Sequence, residues 1–288
     1  MSHARLGPSN HRWITCPGSI REESAYPDVP GNAAIDGTGS HLLLEMCLKN
    51  KMPASHYKDK VIGEGHKDRE KGWLVKQDRI DRVSQCISYV DRRKKELEFQ
   101  YPGEVEIELE SKSSPGVAYG RDDWWGTVDI TLAVMHKREC LFVEVIDYKD
   151  GRGFVGVHKN PQLTAYLGGK VWWWTLFKGD NVRMTIVQPK TSPVVRYEDI
   201  TPVNLKKDLD RLAEAAKKTD ALDAPLVPGN CKWCKHWNNC PERKKEAIGE
   251  LDMDEVFKLL TTNTSEMKDE QLSKLLNAET SILDNQAS

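Results

Sequence analysis

The segment 124–151 constrains the fold more than any other part of this sequence. Two apolar, β-branched runs, Val128 to Met135 and Cys140 to Ile146, flank a short charged turn. Each run has the length of a strand, and a polar turn between two such runs is typical of a β-hairpin. The sequence therefore predicts two adjacent antiparallel strands near the middle of the chain.

Each predicted strand carries a carboxylate, Asp129 near the start of the first and Asp147 at the end of the second. Antiparallel pairing places both at the same end of the hairpin. Lys149 follows two residues later, so strand alternation points Asp147 and Lys149 to the same face. Two close carboxylates repel unless a cation offsets the repulsion, and oxygen ligands suit Mg2+ or Mn2+. This pattern predicts metal-assisted hydrolysis of phosphodiester bonds.

Two helical pairs accompany the hairpin. His41 and Glu45 are four residues apart at the start of an apolar run that Thr38 or Ser40 would cap, so they share a helical face. Taken alone, a solvated pair is the simpler interpretation.

Gln162 and Tyr166 form the second pair, on a helix with Pro161 at its first position. By themselves these two residues are unremarkable.

A third pattern is the strict alternation of 104–110, which predicts a strand buried on one face with its four glutamates on a solvated face.

Taken in order, these motifs resemble the core of PD-(D/E)XK nucleases, and specifically the RecB-like exonuclease branch. The resemblance implies an α/β fold with a restriction-endonuclease-like core, in which helices flank a central mixed sheet. It is carried by His41, Gly126-Thr-Val-Asp129, Asp147-Tyr148-Lys149 and Gln162-x-x-x-Tyr166.

The resemblance also implies a role for each residue. One or two Mg2+ or Mn2+ ions would be held by the metal ligands His41, Asp129, Asp147 and the Tyr148 carbonyl. Lys149 would position the attacking water or stabilise developing charge, and Gln162 and Tyr166 would line the cleft.

Three of the seven cysteines have the spacing of metal ligands: Cys231-x2-Cys234-x5-Cys240 lies among turn-forming residues. A closed site needs a fourth ligand, and Cys16, before a Pro-Gly turn, competes with His236 for that place. With Cys16, the set resembles the iron-sulfur staple of AddB-type and CRISPR-adaptation nucleases. The resemblance implies a 4Fe-4S cluster that joins the two ends of the nuclease domain. A zinc site with four thiolates, or with three and His236, is the alternative.

Composition and domain organisation add few constraints. The 42 Lys+Arg and 44 Asp+Glu give a net charge of -2, so contact with DNA requires a local basic surface. No stretch approaches the roughly 20 apolar residues of a membrane span, which predicts a cytoplasmic protein, in the bacterial host if it is phage-encoded. We expect a nuclease domain over 1–245, closed by the four-cysteine cluster, and a helical tail over 246–288.

The function predicted from these features is a metal-dependent DNA exonuclease in phage or mobile-element recombination, replication or repair. Its substrate would be DNA that is single-stranded or has free ends, and a single-strand-binding or annealing protein is a candidate partner. Two alternatives remain open. One is a catalytically inactive DNA-binding or assembly module with a structural zinc or iron-sulfur site, and the other is a zinc-ribbon-like adaptor.

Overall fold

The computed structural model describes residues 4–171, 177–229, 231 and 233–249, apart from the side chains of 246–249. The expectation that Trp172 to Trp174 are core residues lies outside this part of the chain, as does the expected tail from residue 250 onward. The helices and strands are α1 Ser19–Glu23, α2 Asn32–Asn50, β1 Val61–Ile62, β2 Trp73–Leu74, α3 Gln77–Gln100, β3 Glu104–Ser113, β4 Gly126–His136, β5 Glu139–Tyr148, α4 Pro161–Lys170, β6 Val182–Val187, β7 Val195–Ile200, α5 Pro202–Lys218 and α6 Pro241–Gly249.

The chain forms two compact units that do not follow its order. The first contains Met1–His11 and Asp28–Glu214, and therefore holds all the strands within the described residues. The second joins Arg12–Pro27 to the described part of 215–288. None of the helices within the described ranges is long and apolar enough to cross a membrane.

The first unit is built on a five-stranded mixed sheet with the order β3-β4-β5-β6-β7. Strands β3, β4 and β5 are antiparallel neighbours. The pairing of β4 with β5 is the hairpin that the charged turn between the two apolar runs predicts. Strand β6 is parallel to β5, because α4 intervenes and returns the chain to the same end of the sheet. The expected mixed sheet flanked by helices is confirmed.

Alternation along the central strands separates two faces of the sheet. Ile130, Leu132 and Ile146 are buried in one hydrophobic cluster with residues of α2 and α3. Helix α3 enters that cluster because its apolar residues recur with helical period. Asp147, of opposite parity to Ile146, contacts Gln162 of α4 instead. The sheet is thus covered by different helices on its two faces, and Asp147 belongs to the face of α4.

The predicted start of α2 was wrong. The helix begins at Asn32, with Gly31 at its N-cap, and neither Thr38 nor Ser40 caps it. The Thr38 hydroxyl donates to the carbonyl of residue 34 inside the helix, while the Ser40 hydroxyl donates to Asp150. The small residues near the helix start therefore mark a close approach to the sheet and not the cap.

Candidate active site

Three acidic residues form a row across β3, β4 and β5. The pairs Leu109–Ile130 and Ser111–Val128 flank Glu110 and Asp129, so these two residues lie opposite each other. Continuing the β4–β5 register by one residue from Ile130–Ile146 puts Asp129 opposite Asp147. Side chains that are opposite in a sheet share a face. The row therefore presents three carboxylates at one end of the sheet.

His41 of α2 reaches the same end of the sheet. Its Nδ1 lies 3.4 Å from Oδ1 of Asp129, while the other oxygen, Oδ2, accepts a 2.7 Å hydrogen bond from the backbone N–H of Tyr148. Ligand atoms of His41, Glu110 and Asp129 all lie within 4.8 Å of one another. These three side chains can approach one small cation with little movement.

Asp147 stands beside this group and is held by other partners. Its Oδ2 lies 2.9 Å from Nζ of Lys149, and its Oδ1 accepts a 3.1 Å hydrogen bond from Nε2 of Gln162. The Gln162 amide also donates to the Tyr166 hydroxyl at 3.1 Å and accepts from Lys149 at 3.2 Å. The structure therefore joins Lys149, Gln162 and Tyr166 to Asp147 in one hydrogen-bonded cluster.

Local structure explains how α4 presents two of these side chains. The Asn160 side chain accepts hydrogen bonds from the backbone N–H groups of residues 162 and 163, and Pro161 occupies the first helical position. The helix therefore begins immediately before Gln162. Tyr166 follows one turn later on the same face, as the spacing predicts.

The two aspartates differ in electrostatics although they lie side by side. Burial alone raises the pKa of a carboxylate, but His41, Lys149 and the N–H of Tyr148 lower the pKa of Asp129 below its ordinary value. Burial dominates at Asp147, where repulsion from Asp129 adds to it, and the pKa lies above its ordinary value despite Lys149. The pair thus has one firmly charged member and one that resists carrying charge without a further cation.

Burial and the charge of Asp129 also shift the pKa values of His41 and Glu110. Burial disfavours the imidazolium, but the charge and hydrogen bond of Asp129 outweigh it and raise the pKa of His41 to about 9. Desolvation, followed by repulsion from Asp129, raises the pKa of Glu110 to about 7. A divalent cation would replace the proton shared among these groups, so the donor set fits Mg2+ or Mn2+.

A buried carboxylate next to the motif fixes the helix that carries His41. Asp150 accepts a 2.7 Å hydrogen bond from the hydroxyl of Ser40, the residue before His41. Its other oxygen accepts a 2.7 Å hydrogen bond from Nε of Arg82 in α3. Both oxygens of Asp150 are used, and α2 and α3 are thereby tied to the end of β5.

The second unit collects the four predicted cysteine ligands around one small pocket. Cys16, Cys231, Cys234 and Cys240 line it, together with His236. The N–H of residue 227 donates to the sulfur of Cys16 at 3.3 Å. Burial raises the pKa of the Cys16 thiol, and Cys240 and Cys231 raise it further, which reflects how close these sulfurs lie.

Contacts between the two segments of this unit hold the cysteines in place. The N–H of Gly18 donates to the carbonyl of Pro225 at 2.9 Å, and Glu23 accepts from the backbone N–H of Lys235 at the same distance. Nδ1 of His236 lies 3.1 Å from the Tyr26 hydroxyl, so this ring is already hydrogen-bonded. Cys16 and His236 both line the pocket, so either residue can be the fourth ligand beside the three other cysteines.

Comparison with known families gives one decisive match. The model of the family described as "Protein of unknown function (DUF2800)" matches residues 3–284. The chain belongs to the DUF2800 family. Both the carboxylate row and the cysteine cluster lie inside the matched range.

Two solved structures resemble the DUF2800 chain weakly. A crystal structure named "Putative exonuclease" from Eubacterium rectale shares 11% identity at a TM-score of 0.41, covering 78% of this chain and 80% of that one. The crystal structure of SSO0001 shares 18% identity at a TM-score of 0.30, covering 57% of this chain and 75% of that one. Likeness at this level decides neither fold nor chemistry, which rest on the geometry above.

Sequence reasoning misses two residues of the DUF2800 site. The alternation of 104–110 predicts a solvated face for its four glutamates, and all four are exposed. It does not reveal that Glu110 also lies next to His41 and Asp129. Glu110 could have been identified as a site residue only from the register of β3 with β4, which places it opposite Asp129. The spacing of residues in the sequence does not give that register. Asp150 follows the motif directly but has no local signal, because its partners come from α2 and α3. Glu45, the helical neighbour of His41, pairs with Lys49 instead.

Proposed function

We propose that this protein is a metal-dependent deoxyribonuclease of the PD-(D/E)XK type that acts as an exonuclease. The observation that carries the proposal is the row Glu110, Asp129 and Asp147, with His41 at one side and Lys149 at the other. Such a row of acids beside a lysine suits the hydrolysis of a polyanionic phosphodiester, because the acids bind cations and the lysine offsets phosphate charge.

In this proposal Mg2+ or Mn2+ is held by His41, Asp129 and Glu110, with Asp147 and the Tyr148 carbonyl as the remaining ligands. Bound there, the cation would polarise the scissile phosphate and lower the pKa of a water molecule. The carboxylate row fixes the site on three adjacent strands, which are more rigid than loops.

The remaining residues of the proposed site are Lys149, Gln162 and Tyr166, which position the reacting groups and offset negative charge. Lys149, 2.9 Å from Asp147, is close enough to stabilise negative charge that develops on the phosphate or to orient the water. Gln162 contacts both Asp147 and Lys149, and so helps to fix the distance between the carboxylate and the ammonium group. Tyr166 completes the cleft wall through its hydroxyl contact with Gln162.

We propose in addition that Cys16, Cys231, Cys234 and Cys240 hold a 4Fe-4S cluster in the second unit, with zinc as the alternative. The four cysteines line one small pocket, which supports a shared metal site there. The cluster would supply the cross-link between the 12–27 segment and the segment after 215. Its role in this proposal is structural.

The biological setting follows from the resemblance of the motifs to RecB-like nucleases. We propose that the substrate is DNA that is single-stranded or has free ends, in phage or mobile-element recombination, replication or repair. A single-strand-binding or annealing protein is the proposed partner, and the cytoplasm of a bacterial host is the proposed location.

The decisive experiment follows end-labelled DNA incubated with the purified protein. Digestion is expected with Mg2+ or Mn2+ and not with a chelator, and Asp147→Asn should abolish it. Asp91→Asn, on an exposed position of α3, is the matched control and should digest normally. If Asp147→Asn were as active as the parent, or if DNA were bound but never cleaved, the inactive-module alternative would replace this proposal. Labels at the 5′ and 3′ ends together give the polarity.

A further inference from the structure

The loop 151–160, the Phe154 loop, lies between two parts of the proposed active site. It leaves β5 directly after Lys149 and Asp150, and it ends at Asn160, the N-cap of α4. Gln162, which contacts Asp147, follows two residues later. The loop is therefore joined at both ends to residues of the proposed active site.

The backbone of the loop is held by one fully buried side chain. The Nε2 of Gln188 donates to the carbonyls of Gly151 at 2.9 Å and Gly153 at 2.7 Å. Its Oε1 accepts from the N–H of Val155 at 3.3 Å and from Arg196 at 2.5 Å. Arg196 adds a 3.1 Å hydrogen bond to the Val155 carbonyl. The loop is thus built as a defined surface.

This fixed loop displays an aromatic side chain to solvent. Phe154 is 64% exposed, although exposure of a phenyl ring to water is unfavourable. The guanidinium carbon of Arg196 lies over the ring, 4.5 Å from its centroid. One side of the ring is supported by a buried arginine while much of the ring stays open. An open, supported ring of this kind is suited to stacking on a planar ligand.

The glycines of the loop keep its outer surface clear. A Cβ added at Gly151, Gly153 or Gly156 would meet nothing within 4 Å, and none of the three has a positive φ. Neither crowding nor backbone conformation in the protein therefore requires glycine here. Absent side chains do allow a ligand to approach the backbone closely.

The charges of the loop favour an anionic ligand. Arg152 and Lys159 are exposed, and the segment 151–160 contains no acidic residue. His158 is paired with Glu198 at 3.0 Å, so the open positive charges are the arginine and the lysine. Since the whole chain carries a net charge of -2, this basic segment is a local feature. An exposed aromatic ring on a loop with two exposed cations suits a nucleotide, which offers a planar base and anionic phosphates.

We propose that the Phe154 loop binds an unpaired nucleotide of the DNA strand entering the active site, with Phe154 stacking on the base and Arg152 and Lys159 contacting the phosphates. This inference rests on the proposed nuclease function for its substrate, and it adds a preference for single-stranded DNA next to the cleaved bond. A base inside a duplex is already stacked on both faces and cannot make this contact without being unpaired.

The test is a binding titration of a short fluorescein-labelled single strand, followed by anisotropy in buffer without Mg2+ or Mn2+. Phe154→Ala should raise the Kd about tenfold, because the variant loses the stacking of the ring on one base. Phe154→Trp should bind at least as well as the parent, and Phe154→Leu, which keeps an apolar side chain of similar size, should bind weakly. Phe99→Ala removes an exposed phenylalanine near the end of α3 and should leave the Kd unchanged.

A second probe reports stacking directly. A strand containing 2-aminopurine should lose fluorescence on binding to the parent protein and to Phe154→Trp, and keep it with Phe154→Leu. Equal Kd values for Phe154→Ala and the parent would overturn the proposal, as would equal weakening by Phe154→Trp and Phe154→Leu. The binding assay needs no cleavage, so an inactive protein that shows the Phe154 dependence would retain this inference and lose the nuclease function.

Discussion

Glu110 lies opposite Asp129 across β3 and β4, with its backbone in the left-handed region at a φ of 46°. That conformation costs a non-glycine residue about 1 kcal/mol. A strained backbone that places a carboxylate next to His41 and Asp129 is typical of a functional position. Glu110 therefore combines a strained backbone with a carboxylate that could bind a cation together with His41 and Asp129.

Glu110→Gly should separate stability from metal binding. Glycine adopts the observed φ without strain, so the free energy of unfolding should rise by up to about 1 kcal/mol. Loss of the carboxylate should weaken Mn2+ binding by about tenfold or more, measured by calorimetry on the metal-free protein. Glu104→Gln, at the exposed start of the same strand, is the control. Unchanged Mn2+ affinity in Glu110→Gly would remove this residue from the site.

Gly126→Ala should disturb the active site through Tyr166. A Cβ at this position would lie 2.8 Å from Cε1 of Tyr166 and 2.9 Å from Cδ of Pro8, closer than carbon atoms approach. We expect a loss of about 1–3 kcal/mol in unfolding free energy and a slower digestion of DNA, because the tyrosine ring must shift. Gly37→Ala, in α2, meets nothing within 4 Å and should stabilise the protein slightly. Wild-type digestion and stability in Gly126→Ala would contradict this crowding at Tyr166.

Arg93→Met should be strongly destabilising without any role in chemistry. Glu144 is fully buried and accepts hydrogen bonds from Nε of Arg93 at 2.7 Å and from the Tyr89 hydroxyl at 2.6 Å. Removing the arginine leaves a buried carboxylate without its counter-charge, which costs about 3–5 kcal/mol. Chemical denaturation should show this loss. Arg92→Met, whose guanidinium is in an exposed pair, should change stability by less than about 1 kcal/mol.

Cys240→Ser should remove the proposed cluster. The anaerobically purified parent is expected to be brown, with about four irons and four sulfides per chain, and the variant should contain much less of both. Cys140→Ser is the control. It changes a half-buried thiol of β5 in the first unit, which is not one of the four proposed ligands, and should keep the full metal content. Colourless parent protein containing zinc and no iron would overturn the iron-sulfur assignment in favour of the zinc alternative.

The site could be predicted from sequence wherever its residues are joined by short, regular segments. The hairpin brings Asp129 and Asp147 together because the two strands are separated by one short turn. The four-residue spacing of Gln162 and Tyr166 similarly fixes a shared helical face. These relationships follow from local geometry and need no knowledge of the rest of the chain.

Glu110 could not be found in this way because a long irregular segment separates β3 from β4. The alternation of 104–110 shows that the glutamates share one face, but not which strand lies beside them or in which register. For the same reason the sequence suggests a helix cap at Ser40, where the structure has a tie to Asp150. Both errors concern contacts between segments far apart in sequence.

By itself, the sequence determined the central hairpin, the acids at its end and the helical pairs, because strand and helix periods are properties of the local backbone. Only the tertiary structure decided that the third acid of the row is Glu110, and that the Phe154 ring remains exposed on a fixed loop. Both outcomes depend on strand register and packing between segments that are far apart in sequence. Local sequence patterns do not show which of these segments become neighbours.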